Sequence, residues 1–213
     1  MCKSGLIGAL LLALVSTQGL ATEVGLVTAV SGNVKWQDEK SSVTDLKPFV
    51  KVREGDQLML KGAARVQLVY FESACQETWQ GAGVFEVGAS SSKTVKGSQQ
   101  PEVKSLPAIL VKQLSKTPSP DGNVKSGMIR VRSMQPTVDS VERDYTEMRK
   151  QADSADRNPE LFLLASYFDL REYAKLEALL GKMNESAPGS PELAALNALY
   201  SRAISAVTAA EKN

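Results

Sequence analysis

Three sets of side chains in this sequence have the types and spacing that catalysis could use. Cys75 is a thiol within the stretch FESACQETWQ. Ser90 and Lys93 have the spacing of a nucleophilic serine and its lysine base, and Glu72 with Glu77 could form a carboxylate pair for glycoside chemistry. The serine and lysine lie in the low-complexity run SSSK rather than in a helix, and the glutamates are typical of the solvated face of a strand. We therefore predict no catalytic residue and no enzymatic activity.

Histidine is absent from the whole chain. This excludes Ser-His-Asp and Cys-His catalysis, an imidazole base near neutral pH, and zinc sites of the usual mixed kind. Asp121-Gly122-Asn123 and the pair Asp153 and Asp156 lack the spacing of a calcium loop, and they read better as a turn and a helix end. We predict neither a metal nor a cofactor.

The N-terminus has the features of an export signal. One basic residue, Lys3, precedes the apolar run LIGALLLALV, and small residues follow before Ala21. The run is too short to span a bilayer, which needs about 20 residues, so we expect residues 1–21 to be a signal peptide cleaved after Ala21. Its removal takes Lys3 from the 25 basic residues and nothing from the 24 acidic ones. The balanced charge argues against a nucleic-acid partner, and no later segment predicts an integral membrane helix.

Cys75 is the single cysteine that the exported chain would keep, so it cannot form a disulfide within that chain. We expect it in or beside the turn of a hairpin made by strands at 68–71 and 77–80. Three interpretations remain open: a buried inert thiol, a free reactive thiol, or half of an intermolecular disulfide that would link a homodimer.

Residues 22–90 predict a β-domain. The segments GLVTAVSGNVKW, PFVKVREGDQLML, ARVQLVYF and VFEVG are rich in Val, Leu and aromatic residues and are separated by turn residues such as Glu54-Gly55-Asp56. In ARVQLVYF, the residues at 64, 66, 68 and 70 share one face, while Val69 and Phe71 make the other face apolar near its end. This strand should therefore be covered on both sides at that end.

Residues 91–136 form the least regular region. The polar run SSSKTVKGSQQPEVKS predicts a loop or strand extension, SLPAILVKQL a short helix capped by Ser105, and GMIRVRSM a late strand. We expect Leu106, Ile109 and Leu110 to cover an edge or end of the β-domain, in preference to binding a partner.

Residues 137–213 predict a helical region. Asn158-Pro159-Glu160 and Ser190-Pro191-Glu192 each place a capping residue before a first-turn proline, and these openings lie 32 residues apart. The segment resembles a tetratricopeptide hairpin at several positions of that repeat's sequence pattern. Those pattern positions are occupied by Leu163, Tyr167, Tyr173 and Pro188. At the positions where the repeat usually has small residues, this chain has Leu164, Leu176 and Met183.

The order VGLVTAVSGNVKW, LKPFVKVREGDQLMLKGAARVQLVYF and ETWQGAGVFEVG resembles the FecR-type periplasmic domain over roughly 65 residues. The resemblance implies a small antiparallel β-roll or sandwich, so the whole chain is predicted as α+β, with this domain followed by an α-helical hairpin region. It also implies a non-catalytic interaction module. Signalling members have a transmembrane helix before the domain, whereas a signal peptide precedes it here. The family usually has a glycine-containing turn where this chain has Glu72-Ser73-Ala74-Cys75.

These features predict a periplasmic protein that contacts an envelope protein in signalling or assembly. The alternative is a module that binds a glycan or cell-wall component through exposed aromatic residues. We expect the aromatic residues of the strands to pack in the core in preference to lining a surface. The residues that we assign to an interaction surface are Trp36, Trp79, Tyr167 and Tyr173.

Overall fold

The computed structural model describes residues 22–38, 41–119 and 136–210. The expected signal peptide and the expected late strand GMIRVRSM lie outside these residues. Eight strands form one antiparallel sheet, and five helices follow them, so the α+β prediction is confirmed. The strands are β1 (Glu23–Gln37), β2 (Val43–Asp45), β3 (Lys51–Arg53), β4 (Gln57–Tyr70), β5 (Cys75–Gln80), β6 (Gly83–Val87), β7 (Ser92–Lys96) and β8 (Glu102–Ser105).

Two long strands, β1 and β4, run through the whole sheet and bend near their middles. The register of β1 against β4 shifts between Ser31 and Asn33, and Gly32 between them has φ of 80°. A Cβ atom on Gly32 would lie 2.9 Å from the Cα of Ala64, so only glycine fits this bend. Beyond it β4 changes neighbours, pairing with β5 through residues 65–69 and with β6 through residues 57–60.

The bend divides the sheet into two half-sheets with one core between them. The first half-sheet has the order β3-β1-β4-β5-β8, and the second has the order β2-β1-β4-β6-β7. Buried residues of both half-sheets form one apolar cluster, so the strands make a β-roll. Its members are Val27, Val34, Leu46, Val52, Leu58, Leu60, Ala64, Val66, Leu68, Tyr70, Trp79, Phe85 and Val87.

The alternation predicted for ARVQLVYF is confirmed. The side chains at 64, 66, 68 and 70 all lie in the roll core. Val69 is fully buried on the opposite face, where it packs with helical residues, and Phe71 is partly buried beside it. This end of β4 is therefore covered on both sides, as its two apolar faces predict.

The strands continue past the boundary expected at residue 90. The polar run that predicted a loop or strand extension forms β7, which pairs with β6, and β8, which pairs with β5. Both lie at edges of the sheet, where one side meets solvent. Polar residues are therefore tolerated there, and alternation is a weak signal.

The helices are α1 (Ala108–Leu114), α2 (Val138–Gln151), α3 (Asn158–Leu170), α4 (Tyr173–Ser186) and α5 (Pro191–Ala210). Among the described residues, no helix is long and apolar enough to cross a membrane. Ser190 caps α5 as predicted, since its Oγ accepts the backbone N–H of Leu193 at 3.3 Å. The prediction that Ser105 caps α1 is wrong, because Ser105 ends β8 and Pro107 occupies the cap position.

The helices and the first half-sheet share a second apolar core. Leu26, Phe49 and Val69 of the roll pack in one cluster with residues of all five helices. Within α3, every residue from Asn158 to Phe168 is buried. Leu106 and Leu110 join this cluster as expected, whereas Ile109 is 50% exposed. The helical region therefore packs on the roll.

Candidate functional site

Cys75 begins β5, directly after the turn at residues 71–74. Val69 pairs with Gln76 and Leu68 with Glu77, which confirms the predicted hairpin. Ala74 adopts φ of 52°, so an alanine takes a left-handed conformation that glycine adopts more readily. The Cys75 thiol is half-buried and donates to the backbone carbonyl of Ser73 at 3.4 Å.

Glu77 is buried in the roll and its carboxylate is already occupied. The Ser92 backbone N–H donates to both carboxylate oxygens, at 3.0 and 3.3 Å, and the Trp79 indole N–H donates to Oε2 at 3.0 Å. The Tyr70 hydroxyl shares a hydrogen bond of 2.6 Å with Ser92 Oγ. We call Tyr70, Glu77, Trp79 and Ser92 the Ser92 cluster. It joins β4 and β5 of the first half-sheet to β7 of the second.

The Ser92 cluster holds its groups in a low-dielectric interior. Burial raises the pKa of Tyr70 far above its usual value, and the nearby Glu77 carboxylate adds to that increase against the opposing effect of Ser92. Glu72, by contrast, is exposed in the turn. The two glutamates thus occupy different environments, and Glu77 acts as a crosslink between the half-sheets.

Trp79 does not lie at a surface. It is 4% exposed and its ring stacks on Phe85, with centroids 4.4 Å apart and planes 11° apart. The assignment of Trp79 to an interaction surface is therefore wrong, and the preference for core packing of the strand aromatics is confirmed here, because Trp79 fills the roll core. Trp36 is half-buried where β1 pairs with β2 and β4.

A shallow recess of about 10 Å³, room for about one water molecule, adjoins the stacked rings of Trp79 and Phe85, and Gln99 and Lys96 also line it. Small-molecule pockets usually enclose roughly 300–1,000 Å³. The lining includes a cation and an amide but no carboxylate, and the volume is too small for a sugar chain. This recess gives little support to ligand binding in the roll.

Tyr167 is also buried, at 6% exposure, so its assignment to an interaction surface is wrong. Its hydroxyl donates to Glu142 Oε1 at 2.8 Å, and the Lys175 ammonium donates to the same oxygen at 2.6 Å. The Lys175 and Tyr167 hydrogen bonds lower the pKa of Glu142, and burial and then Glu142 raise that of Tyr167. These contacts tie α2, α3 and α4 together. Tyr173 is half-buried, and its ring lies 6.0 Å from that of Phe168.

Sequence patterns missed Arg149, which stabilises the connection between α2 and α3. The Arg149 guanidinium pairs with the Glu160 carboxylate at 3.1 Å and donates to the Asp156 carbonyl at 2.6 Å. It also donates to the carbonyls of Ala152 and Asp153. A basic residue in a last helical turn is the only local signal, and it does not name these acceptors.

Two polar contacts join the roll to the start of α3 and to the turn before it, and sequence patterns missed both. The Asn158 amide donates to Gln76 Oε1 at 2.8 Å in a buried bond, and Lys104 of β8 pairs with Asp156 at 2.8 Å. Asn158 was predicted to cap α3, and this is wrong. The cap position is Arg157 without a side-chain bond, because the Asn158 side chain turns to Gln76.

The Glu54-Gly55-Asp56 turn is confirmed. Gly55 has φ of 89°, and Asp56 Oδ2 accepts the Arg53 backbone N–H at 2.9 Å. Burial raises the pKa of Asp56, and the Arg53 hydrogen bond opposes part of that increase.

Ser90 and Lys93 lie in a turn and in β7, so no helix holds one against the other. Among the described residues, no group of three or more Cys, Asp or Glu side chains could hold a metal ion.

No protein-family model matches this chain, and no curated protein matches it. A solved structure described as a cell surface anchoring domain is 18% identical, over 32% of this chain and 87% of that chain, with a TM-score of 0.30. A likeness at that level carries no argument about this protein. The FecR and tetratricopeptide resemblances stay predictions from the sequence.

Proposed function

We propose that this chain is an exported, periplasmic, non-catalytic protein of the FecR type, which contacts another envelope protein in signalling or assembly. The observation behind this proposal is that the buried Glu77 carboxylate is already hydrogen-bonded within the protein. Glu77 accepts hydrogen bonds from Ser92 and Trp79 within its own fold. An occupied carboxylate is a poor proton acceptor for a substrate, since catalysis would first have to break those bonds.

The shared core of roll and helices also supports an interaction role. The apolar cluster that includes Leu26 and Val69 continues into the helices, and the Asn158–Gln76 and Lys104–Asp156 contacts add polar links. A body joined in this way presents its surfaces in one arrangement, and rigid presentation reduces the entropy lost when a partner binds.

Site-specific photocrosslinking in the native envelope tests this proposal. A photoreactive amino acid at Tyr173 or at Trp36, which are both half-buried, should yield a defined covalent adduct whose partner mass spectrometry can identify. The matched control places the same amino acid at Ile109, which is 50% exposed and lies on α1 instead. Failure to recover a specific protein from either site, with Ile109 giving the same background, would contradict the proposal.

The alternative, a module that binds a glycan or cell-wall component, now depends on Trp36. Trp79 is buried, whereas Trp36 is half-buried. Binding of soluble cell-wall fragments should change tryptophan emission in the wild type and leave it unchanged in Trp36→Phe. An emission change that persists in this variant would place the ligand elsewhere.

A further inference from the structure

Four strands of the described sheet have a neighbour on one side only: β2, β3, β7 and β8. The outer side of such a strand presents backbone groups that can pair with another strand, and proteins usually block this with charges, short strands or covering segments. The four edge strands differ in how strongly they oppose pairing with a copy of themselves, because their residues differ in charge.

Three of these edges oppose pairing with a copy of themselves. Antiparallel self-pairing of β3 about its central residue would place Lys51 opposite Arg53, which repel each other. β7 carries Lys93 and Lys96 and no acidic residue. β2 has three residues, and its self-pairing would place an apolar Val43 opposite an acidic Asp45.

The fourth edge, β8, complements itself. Its sequence is Glu-Val-Lys-Ser, and all four residues are exposed, with Val103 at 58%. If two copies pair antiparallel about Val103, each Glu102 lies opposite Lys104 of the other copy and Val103 lies opposite Val103. This register gives two opposite-charge pairs that flank an apolar pair, and each such cross-strand pair is stabilising.

The contacts of Lys104 fit the same register. Lys104 pairs with Gln76 of β5, and its ammonium lies 2.8 Å from Asp156 on the helical side of the sheet. Because side chains alternate along a strand, Glu102 and Lys104 share this face and Val103 lies on the other. Lys104 would therefore lie between Asp156 of its own chain and Glu102 of the second copy.

We propose that β8 is a self-association edge, where a second copy of this chain adds its own β8 antiparallel with Val103 opposite Val103. The two first half-sheets then become one continuous sheet across the pair. A four-residue strand is only about 13 Å long, at roughly 3.3 Å per residue. The contact is small beside a standard stable interface, so the dimer forms reversibly and its population rises with protein concentration.

This dimer differs from one linked by Cys75. Cys75 lies on β5, one strand inside β8. The thiols of two copies would be three strand spacings apart, about 14 Å, whereas the Cα atoms of a disulfide lie within about 7 Å. The Cys75→Ser variant should therefore dimerise like the wild type.

Charge exchange tests the proposal by sedimentation velocity of the purified protein over a range of concentrations. Glu102→Lys makes both cross-strand pairs repulsive in its own dimer, and Lys104→Glu does the same with acids. Each variant alone should raise the dimer dissociation constant about tenfold or more, and an equal mixture of the two should restore dimers. Circular dichroism checks that Lys104→Glu still folds without its exposed ion pair to Asp156.

Engineered cysteines give a second readout in the Cys75→Ser background. Val103→Cys should form a disulfide-linked dimer on mild oxidation, because position 103 lies opposite itself. Val95→Cys on β7 is the matched control, since Val95 is 54% exposed on another edge, and it should stay mostly monomeric. A protein that is monomeric at every concentration, a dimer insensitive to Glu102→Lys, or equal crosslinking at both positions would overturn the proposal.

Discussion

Replacing Glu77 should destabilise the fold far more than replacing any exposed carboxylate. In Glu77→Ala, the Ser92 backbone N–H and the Trp79 indole N–H both lose their acceptor. A buried donor left without a partner costs about 1–3 kcal/mol, and the Ser92 N–H is only part-buried, so we expect a loss of roughly 2–4 kcal/mol in the free energy of unfolding. Since a domain has a total of only about 5–15 kcal/mol, this loss is severe.

Glu77→Gln provides an intermediate case. The glutamine keeps one acceptor oxygen, but its amide NH₂ replaces the other oxygen and meets a donor. We expect it to lose about 1–3 kcal/mol, near the cost of one unsatisfied donor. Glu72→Ala is the matched control, because Glu72 is an exposed carboxylate in the turn of the same hairpin. Its effect should stay within about 0.5 kcal/mol.

Urea unfolding followed by tryptophan emission and far-ultraviolet circular dichroism measures these differences. Trp79 is a useful reporter, because its indole is bonded to Glu77 itself. The predicted order of destabilisation is Glu77→Ala, then Glu77→Gln, then Glu72→Ala. If Glu77→Ala costs less than about 1 kcal/mol, or no more than Glu72→Ala, then the Ser92 cluster does not crosslink the half-sheets as we argue.

Three further predictions concern buried polar groups. The raised pKa of Asp56 means that the folded state binds a proton more tightly than the unfolded state does. The free energy of unfolding therefore falls as the pH rises from the ordinary aspartate pKa to the raised pKa of the folded state. Asp56→Asn should thus match or exceed the wild-type urea midpoint at pH 7, and this advantage should vanish below the ordinary pKa. Asn158→Ala should cost about 1–3 kcal/mol in urea unfolding, because it leaves buried Gln76 without its donor, whereas an unchanged midpoint would contradict the bond. Burial raises the pKa of Tyr70, of Tyr167 and of Tyr200, which lies buried in α5. Since unfolded tyrosines ionise near pH 10, absorbance at 295 nm should show these three ionising only as the protein unfolds above about that pH. Ionisation before unfolding would contradict the prediction.

Much of the fold followed from local patterns. The period-two alternation in ARVQLVYF predicted which side chains face the roll core, and its second apolar face predicted that a layer covers Val69. The Glu54-Gly55-Asp56 turn and the Ser190 cap were also predicted, since each depends on residues within four positions of one another. β7 and β8 lie in the polar run that predicted either a loop or a strand extension; the structure shows the extension, and the pattern could not decide between the two because edge strands need not have an apolar face.

The candidate site was harder to predict, because its contacts join residues far apart in the chain. Trp79 and Tyr167 were assigned to a surface from their residue types, yet neighbours from other elements bury both. Glu77 was identified as a carboxylate of interest, but nothing near it in the sequence indicates that the Ser92 backbone would occupy it. A periodic pattern tells which side of a strand is apolar, and it does not tell which distant strand will cover that side.

The sequence by itself determined the mixed α+β class, the order of a strand-rich region before a helical one, the hairpin around Cys75, and the lack of histidine chemistry. Only the tertiary structure decided that the helices pack on the roll, that Glu77 is a crosslink, and that β8 lies at an edge of the described sheet with complementary charges. The physical reason is the distance along the chain over which each interaction acts. Turn and helix signals act within a few residues, whereas the Asn158–Gln76 bond spans 82 positions and forms only when a whole core brings its ends together.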